Sequence, residues 1–232
     1  REGGFGGGFF ACYVPNPEDD GWTEESALTV THDGHEDSGT PRLDPNYARD
    51  FADGLVEGLF RLQSGGGLRI VRTAEELEGC LREKIVAAIL HFEGAENLGP
   101  DPGALEELYE TGLRSLGLVW SRPNAYAYGV PFRFPSSPDT GPGLTGAGKQ
   151  LVRECNRLGI LIDLSHCGDR TTLDAFEVSK RPVLITHSNC RALVPGHPRL
   201  KTDEAIKKVG AAGSVMVITG VRMFVKGDEP TT

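Results

Sequence analysis

A chain of 232 residues, 38% of them hydrophobic, can bury a sizeable core and suits one α/β domain spanning residues 1–232. The formal net charge of −9 argues against a nucleic-acid surface, and no basic cluster or basic amphipathic helix marks a membrane face. No apolar run reaches the length of a membrane span, and the N-terminus lacks the charged and hydrophobic regions of a secretory signal.

The chain opens on REGGFGGGFFACYVP. A phosphate-binding loop needs its glycines after a strand and before a helix. Here they precede the apolar run FFACYV, so close backbone packing is the better reading. Asn16 to Pro45 is a polar excursion that contains DGHED. From Asn46, Tyr47, Phe51, Leu55 and Leu59, with Ala48, Ala52 and Phe60 beside them, follow helical spacing until Gly65 to Gly67. Thr73 with Glu76 forms a capping box for a helix running to about Lys84. The apolar run IVAAILHF then ends on Glu93. Asp101 and Pro102 start a short helix that leads into the strand RSLGLVW.

The stretch from Ser121 to Leu144 is long and rich in proline, glycine and aromatics, which predicts a functional loop, either a lid or a binding wall. Thr145 to Leu158 is amphipathic through Ala147, Leu151, Cys155 and Leu158, with Gly159 in the stop position. GILIDLSH closes on His166, and a helix carrying Leu173, Ala175, Phe176 and Val178 follows until Pro182. PVLITHS closes on His187, and a loop with HPRL, a helix TDEAIKKVG and a strand SVMVITG complete the chain.

Strand and helix thus alternate through six apolar runs, which predicts a parallel α/β architecture and, from the strand-end residues, a (β/α) barrel of the TIM type. Six strands do not close an eight-stranded barrel, so an incomplete barrel is expected. Parallel strands joined by crossover helices point the same way, so Glu93, His166 and His187 share the C-terminal edge of the sheet. Two imidazoles and a carboxylate form a catalytic zinc set with a position left for water. Singly, each residue reads as a salt-bridge partner or a satisfied polar group; three at matching strand ends favour a metal. The five cysteines, Cys12, Cys80, Cys155, Cys167 and Cys190, are scattered and lack CxxC spacing, as expected of reduced thiols in a cytoplasmic protein. Cys167, although next to His166, is expected to be a buried bystander.

HFEGAE, GLRSLGLVWSRPN, GILIDLSH, THSNCRAL and HPR, in that order, resemble the renal (membrane) dipeptidase family of zinc metallopeptidases, in its bacterial branch. The likeness covers most of the chain. It implies a TIM-like barrel with two zinc ions bridged by one carboxylate, and hydrolysis of dipeptides, often with a D-residue at the C-terminal side. By the same likeness Glu93 matches the bridging carboxylate, His166 and His187 the two histidines of the second zinc, and Arg199 the arginine that clamps the substrate carboxylate. Without the resemblance, Arg199 reads as an exposed loop arginine.

Three departures from the family pattern stand out. The family's HxD pair for the other zinc precedes the glycine-rich segment; His35 and Asp37 imitate it but follow that segment, which reads as coincidence. Trp120 stands where the family has a substrate-binding histidine, and tryptophan cannot both donate and accept a hydrogen bond. The family's late Asp-containing strand has no counterpart, and Leu200 replaces the asparagine of HPRN. The expectation is a fragment without the family's first strand and C-terminal portion, which holds about one zinc weakly and turns dipeptides over slowly or not at all. Its open sheet edges predict self-association. Two alternatives remain: a non-catalytic homologue that uses the barrel as a binding or scaffold module, and another barrel amidohydrolase. The second is disfavoured, because no HxH occurs.

Overall fold

The structure, a computed structural model, describes residues 3–17, 29–31, 34–36, 42–100, 102–131 and 133–225. In chain order the elements are β1 (Gly7–Cys12), β2 (Thr29–Thr31), β3 (Gly34–Glu36), α1 (Pro45–Ser64), β4 (Arg69–Ile70), α2 (Ala74–Glu83), β5 (Ala87–Phe92), α3 (Leu105–Thr111), β6 (Leu113–Gly117), α4 (Gly146–Leu158), β7 (Leu161–Asp163), α5 (Asp169–Val178), β8 (Leu184–Ser188), α6 (Asp203–Ala211) and β9 (Val215–Ile218). The principal sheet runs β1-β5-β6-β7-β8-β9, with β4 also on β5, and every pairing in it is parallel. This is an open, TIM-like (β/α) barrel of six main strands, each grown from one of the six apolar runs. Within the described residues, β1 and β9 each have a strand neighbour on one side only.

The interior strands read as continuous apolar runs because helices cover one face and the barrel core the other. Ala87, Ala88, Leu90 and Phe92 of β5 and Leu113 and Leu116 of β6 are at most 1% exposed. Two of the opening glycines belong to β1 rather than preceding it. Gly7 has φ +151°, and a Cβ there would lie 2.2 Å from the Ala87 carbonyl oxygen, so only glycine lets β1 lie this close to β5.

One expected helix start is displaced: α3 begins at Leu105, after a single 3-10 turn at Pro102–Ala104, and Asp101 lies outside the described residues. Asp44 caps α1 through the amides of Asn46 and Tyr47, and the Thr73–Glu76 capping box opens α2. Gly159, at φ +85°, ends α4. The buried stripe of α1 differs from the expected one: it is Ala48, Ala52, Val56 and Leu59, while Phe51 and Leu55 are 37% and 36% exposed. Alanines on the inner face let the helix axis sit close to the sheet and turn the larger side chains outward. The two-residue β4 carries too short a pattern to be seen in the sequence.

The loop between β6 and α4 is not a free flap. Tyr126, Ala127 and Val130 are fully buried, and Asn124 accepts from the amides of Tyr126 and Ala127 while donating to the Leu118 carbonyl. Its role as a wall of the barrel mouth fits this burial; a mobile lid does not. Among the described residues no helix is long and apolar enough to cross a membrane.

Candidate metal centre

Three strands bring the predicted residues together. Glu93 follows the last residue of β5, His166 lies three residues past β7, and His187 is the penultimate residue of β8. Glu93 Oε1 is 2.9 Å from His166 Nε2 and 3.2 Å from His187 Nε2, and the two Nε2 atoms are 3.0 Å apart. One ligand atom from each residue lies within 4.8 Å of the others. Among the described residues this is the only group of three or more His, Cys, Asp or Glu side chains placed to hold an ion.

The backbone behind Glu93 is shaped for this. Gly94 has φ +110°, and a Cβ there would lie 2.1 Å from the Glu96 carboxylate, so the turn that lifts Glu93 over the sheet requires glycine. Exposure is graded across the site. The His166 side chain is 5% exposed, that of Glu93 18% and that of His187 35%, so the centre opens to solvent on the His187 side.

The donor chemistry fits a cation. A guanidinium can only donate, so Arg199 Nη2, 3.3 Å from His166 Nε2, marks that nitrogen as a lone-pair site. His166 Nδ1 is 2.8 Å from Ser121 Oγ. Burial, and next the Arg199 charge, pull His166 down to about 3, which leaves the neutral imidazole a metal needs at neutral pH. An ionised oxygen and an imidazole lone pair facing one another invite a positive ion between them.

Arg199 is not the exposed loop residue its position suggests. It is 2% exposed, donates to the Ser165 carbonyl through Nη1 and to the His187 carbonyl through Nη2 at 3.2 Å, and leaves Nε without a partner. Its loop is tied down by Arg191, which grips Asp169 at the start of α5 with two bonds of 2.6 Å, and by Lys201 Nζ, 2.8 Å from the Cys167 carbonyl. Trp120 lines the mouth: its ring is 5.7 Å from that of His166 and 4.9 Å from that of Tyr13, with the Arg122 guanidinium 4.7 Å above it. Arg122 in turn donates to the Val14 carbonyl and to Asn16, and pairs with buried Glu96 at 3.4 Å, which joins the chain after β1 to this wall.

Of the HxD imitation, His35 sits in β3 opposite Val30 in a separate two-stranded sheet, and Asp37 lies outside the described residues. Cys167 is 1% exposed and is not among the three side chains of the candidate group. Sequence reasoning missed the polar layer beneath the centre: Asp163, Thr186, Ser165, Ser121, and the pair His91 Nδ1 to Ser115 Oγ at 2.9 Å. The available signal was a charged or imidazole side chain inside an apolar strand, Asp163 in GILIDLSH and His91 in IVAAILHF, since such groups are buried only when partnered.

The profile of the membrane dipeptidase family (peptidase family M19) matches residues 1–232. Among solved structures, the chain is similar to a metallo peptidase from Rhodobacter sphaeroides bound to a phosphinate mimic of the dipeptide L-Ala-D-Ala. The TM-score is 0.90 at 39% identity, over 98% of this chain and 65% of that one. It is also similar to dipeptidase AC, a metallo peptidase, with a TM-score of 0.86 at 38% identity, over 98% of this chain and 63% of the other. Dipeptidase verJ of Clonostachys rogersoniana is 30% identical over an alignment of 235 positions that covers all of this chain and 55% of that protein. An uncharacterized protein of Acinetobacter calcoaceticus is 31% identical over 98% of this chain and 70% of its own length. The chain therefore spans 55–70% of the length of these relatives.

Proposed function

Because this chain belongs to the membrane dipeptidase family (peptidase family M19), we propose that its strand-end cluster binds zinc and that the protein it forms part of hydrolyses dipeptides. The observation that carries this is the convergence of Glu93 Oε1 and the two Nε2 atoms within 3.2 Å of one another. Two imidazoles with one carboxylate suit zinc better than a hard, oxygen-seeking cation. An ion held there supplies Lewis acidity for the scissile carbonyl and acidifies water toward neutrality.

The chain's own residues do the rest. Glu93, His166 and His187 would hold the ion, with the His187 side open to solvent. Arg199 contributes a fixed positive charge at the floor: burial lowers it only to about 10, so it stays a cation at neutral pH and favours the end of a substrate that bears a carboxylate. The aromatic wall of Trp120 and Tyr13 shapes the side-chain pocket and keeps water from that flank. The R. sphaeroides relative's ligand makes L-Ala-D-Ala the first dipeptide to test. The family's two-ion centre, implied by the resemblance, needs further ligands; the described residues assemble one set.

Zinc affinity measured by chelator competition, together with release of D-alanine from L-Ala-D-Ala, tests this reading. Glu93→Gln should weaken zinc binding by more than about 100-fold, beyond the 10–100-fold range seen when only an outer partner is lost. A wild-type protein that takes up no zinc while properly folded would overturn the proposal.

A further inference from the structure

Beneath the three candidate ligands lies Asp163, 2% exposed, the last residue of β7. Its carboxylate accepts from the amide and hydroxyl of Ser165 at 3.1 and 2.7 Å and from the amide of Thr186 at 3.0 Å, all on Oδ1. Its other oxygen accepts from Thr186 Oγ1 at 2.6 Å, and His91 Nε2 approaches it at 3.7 Å. Thr186 Oγ1 is also 2.8 Å from His187 Nδ1. Resting on the metal-binding reading above, we propose that Asp163 is a positioning residue that sets the tautomer and orientation of His187 through Thr186.

The number of protons available decides the tautomer. A threonine hydroxyl has one hydrogen, and the short contact to an acceptor-only carboxylate takes it. The Thr186 oxygen can then only accept from His187, so Nδ1 of that ring carries its hydrogen. Nε2 is left as a lone pair facing Glu93 Oε1 and His166 Nε2, the form required of a ligand. Ser165 repeats the logic for the backbone. Its hydroxyl donates to Asp163 Oδ1 and accepts the amide of His187 at 3.1 Å, so ring and main chain of His187 are both referred to one buried carboxylate. The hydroxyl hydrogens of Ser165 and Thr186 both point toward Asp163.

Asp163→Asn should reverse the chain. The amide nitrogen can donate to Thr186 Oγ1, whose hydrogen then turns to His187 Nδ1, and the ring is driven to carry its own hydrogen on Nε2, closed to metal. Zinc affinity should fall by about 10–100-fold, the range for an outer-layer partner. Thr186→Val, which cuts the relay, should lose at least about 10-fold, and Thr186→Ser, which restores it, should return to within about threefold of wild type. Nitrogen-15 spectra of the metal-free protein should show the hydrogen of His187 on Nδ1 in wild type and in Thr186→Ser, and on Nε2 in Asp163→Asn. A layer that only packs would leave the tautomer unchanged.

Equal zinc affinity in wild type, Asp163→Asn and Thr186→Val, or one tautomer throughout, would overturn the relay. If wild type takes up no zinc, the metal reading fails while the tautomer comparison still decides the relay. Should Asp163→Asn not fold, the Thr186 pair decides it alone.

Discussion

The middle of the sheet and its β9 edge are built from the same kinds of residue, yet they are buried to very different extents. Along β5 five of six residues are buried, and along β6 four of five. In β9, Val215, Val217 and Ile218 are 53%, 48% and 66% exposed, and nearby Val221 is 43% exposed. Consecutive strand residues point to opposite faces, so Val217 and Ile218 show that both faces of β9 lie open. The candidate metal centre draws on β5, β7 and β8, all of which have neighbours on both sides. Site geometry is therefore set by the covered part of the sheet, and the apolar character of β9 is stabilising only where something covers it.

A pair of truncations turns that contrast into a measurement. Leu116 in β6 is fully buried, so Leu116→Ala should cost about 2–5 kcal/mol through lost burial and the cavity left behind. Val217→Ala, at 48% exposure, should stay within about 0.5 kcal/mol, the range of surface substitutions. Urea unfolding of both variants gives the comparison directly. Similar losses would mean that β9 is covered in solution, by another copy or by further chain.

A buried charge probes the same interior by another route. Lys201 is 2% exposed, and burial lowers its ammonium to about 8 from an ordinary 10.5. Between those values the unfolded chain binds more protons than the folded one, so stability rises with pH across that window and the penalty is constant below it. The rise is at most about 3 kcal/mol. Lys201→Met should remove this part of the pH dependence when the two stability profiles are subtracted. Parallel profiles from pH 7 to 11 would show that the lysine reaches solvent and that this side of the interior is looser than the geometry indicates.

The contrast also explains what was legible beforehand. Six apolar runs, the caps at Thr73 and Gly159 and the strand-end positions of Glu93, His166 and His187 depend on local pattern, and each is visible in a short window of sequence. What escaped depends on packing between elements. The inward stripe of α1 is decided by how closely alanines let the helix approach the sheet, which periodicity alone cannot rank against Phe51 and Leu55. The burial of Arg199 and the Asp163 layer come from loops folded over one another, where the chemistry of a residue is set by neighbours tens of positions away. The exposed apolar residues of β9 read as core for the same reason: the sequence shows their character and not their cover.

The smallest expected effect concerns the β1 edge. β1 is an edge strand too, yet Cys12 at its end is 6% exposed and packs in the main core, whereas Cys190, in the loop after β8, is half-buried. Burial pushes the Cys12 and Cys167 thiols up to about 12, although Lys201 acts against it at Cys167, and neither is a thiolate at neutral pH. A thiol-disulfide reagent applied to the native protein should therefore label Cys190 first. Cys12 must wait for local opening, and an opening cost of about 3 kcal/mol leaves fewer than about one molecule in 100 reactive at any moment. Peptide mapping after timed quenching reads the order. Were Cys12 to react as fast as Cys190, β1 would be opening readily, and the close Gly7–Ala87 approach would not hold that edge as its geometry implies.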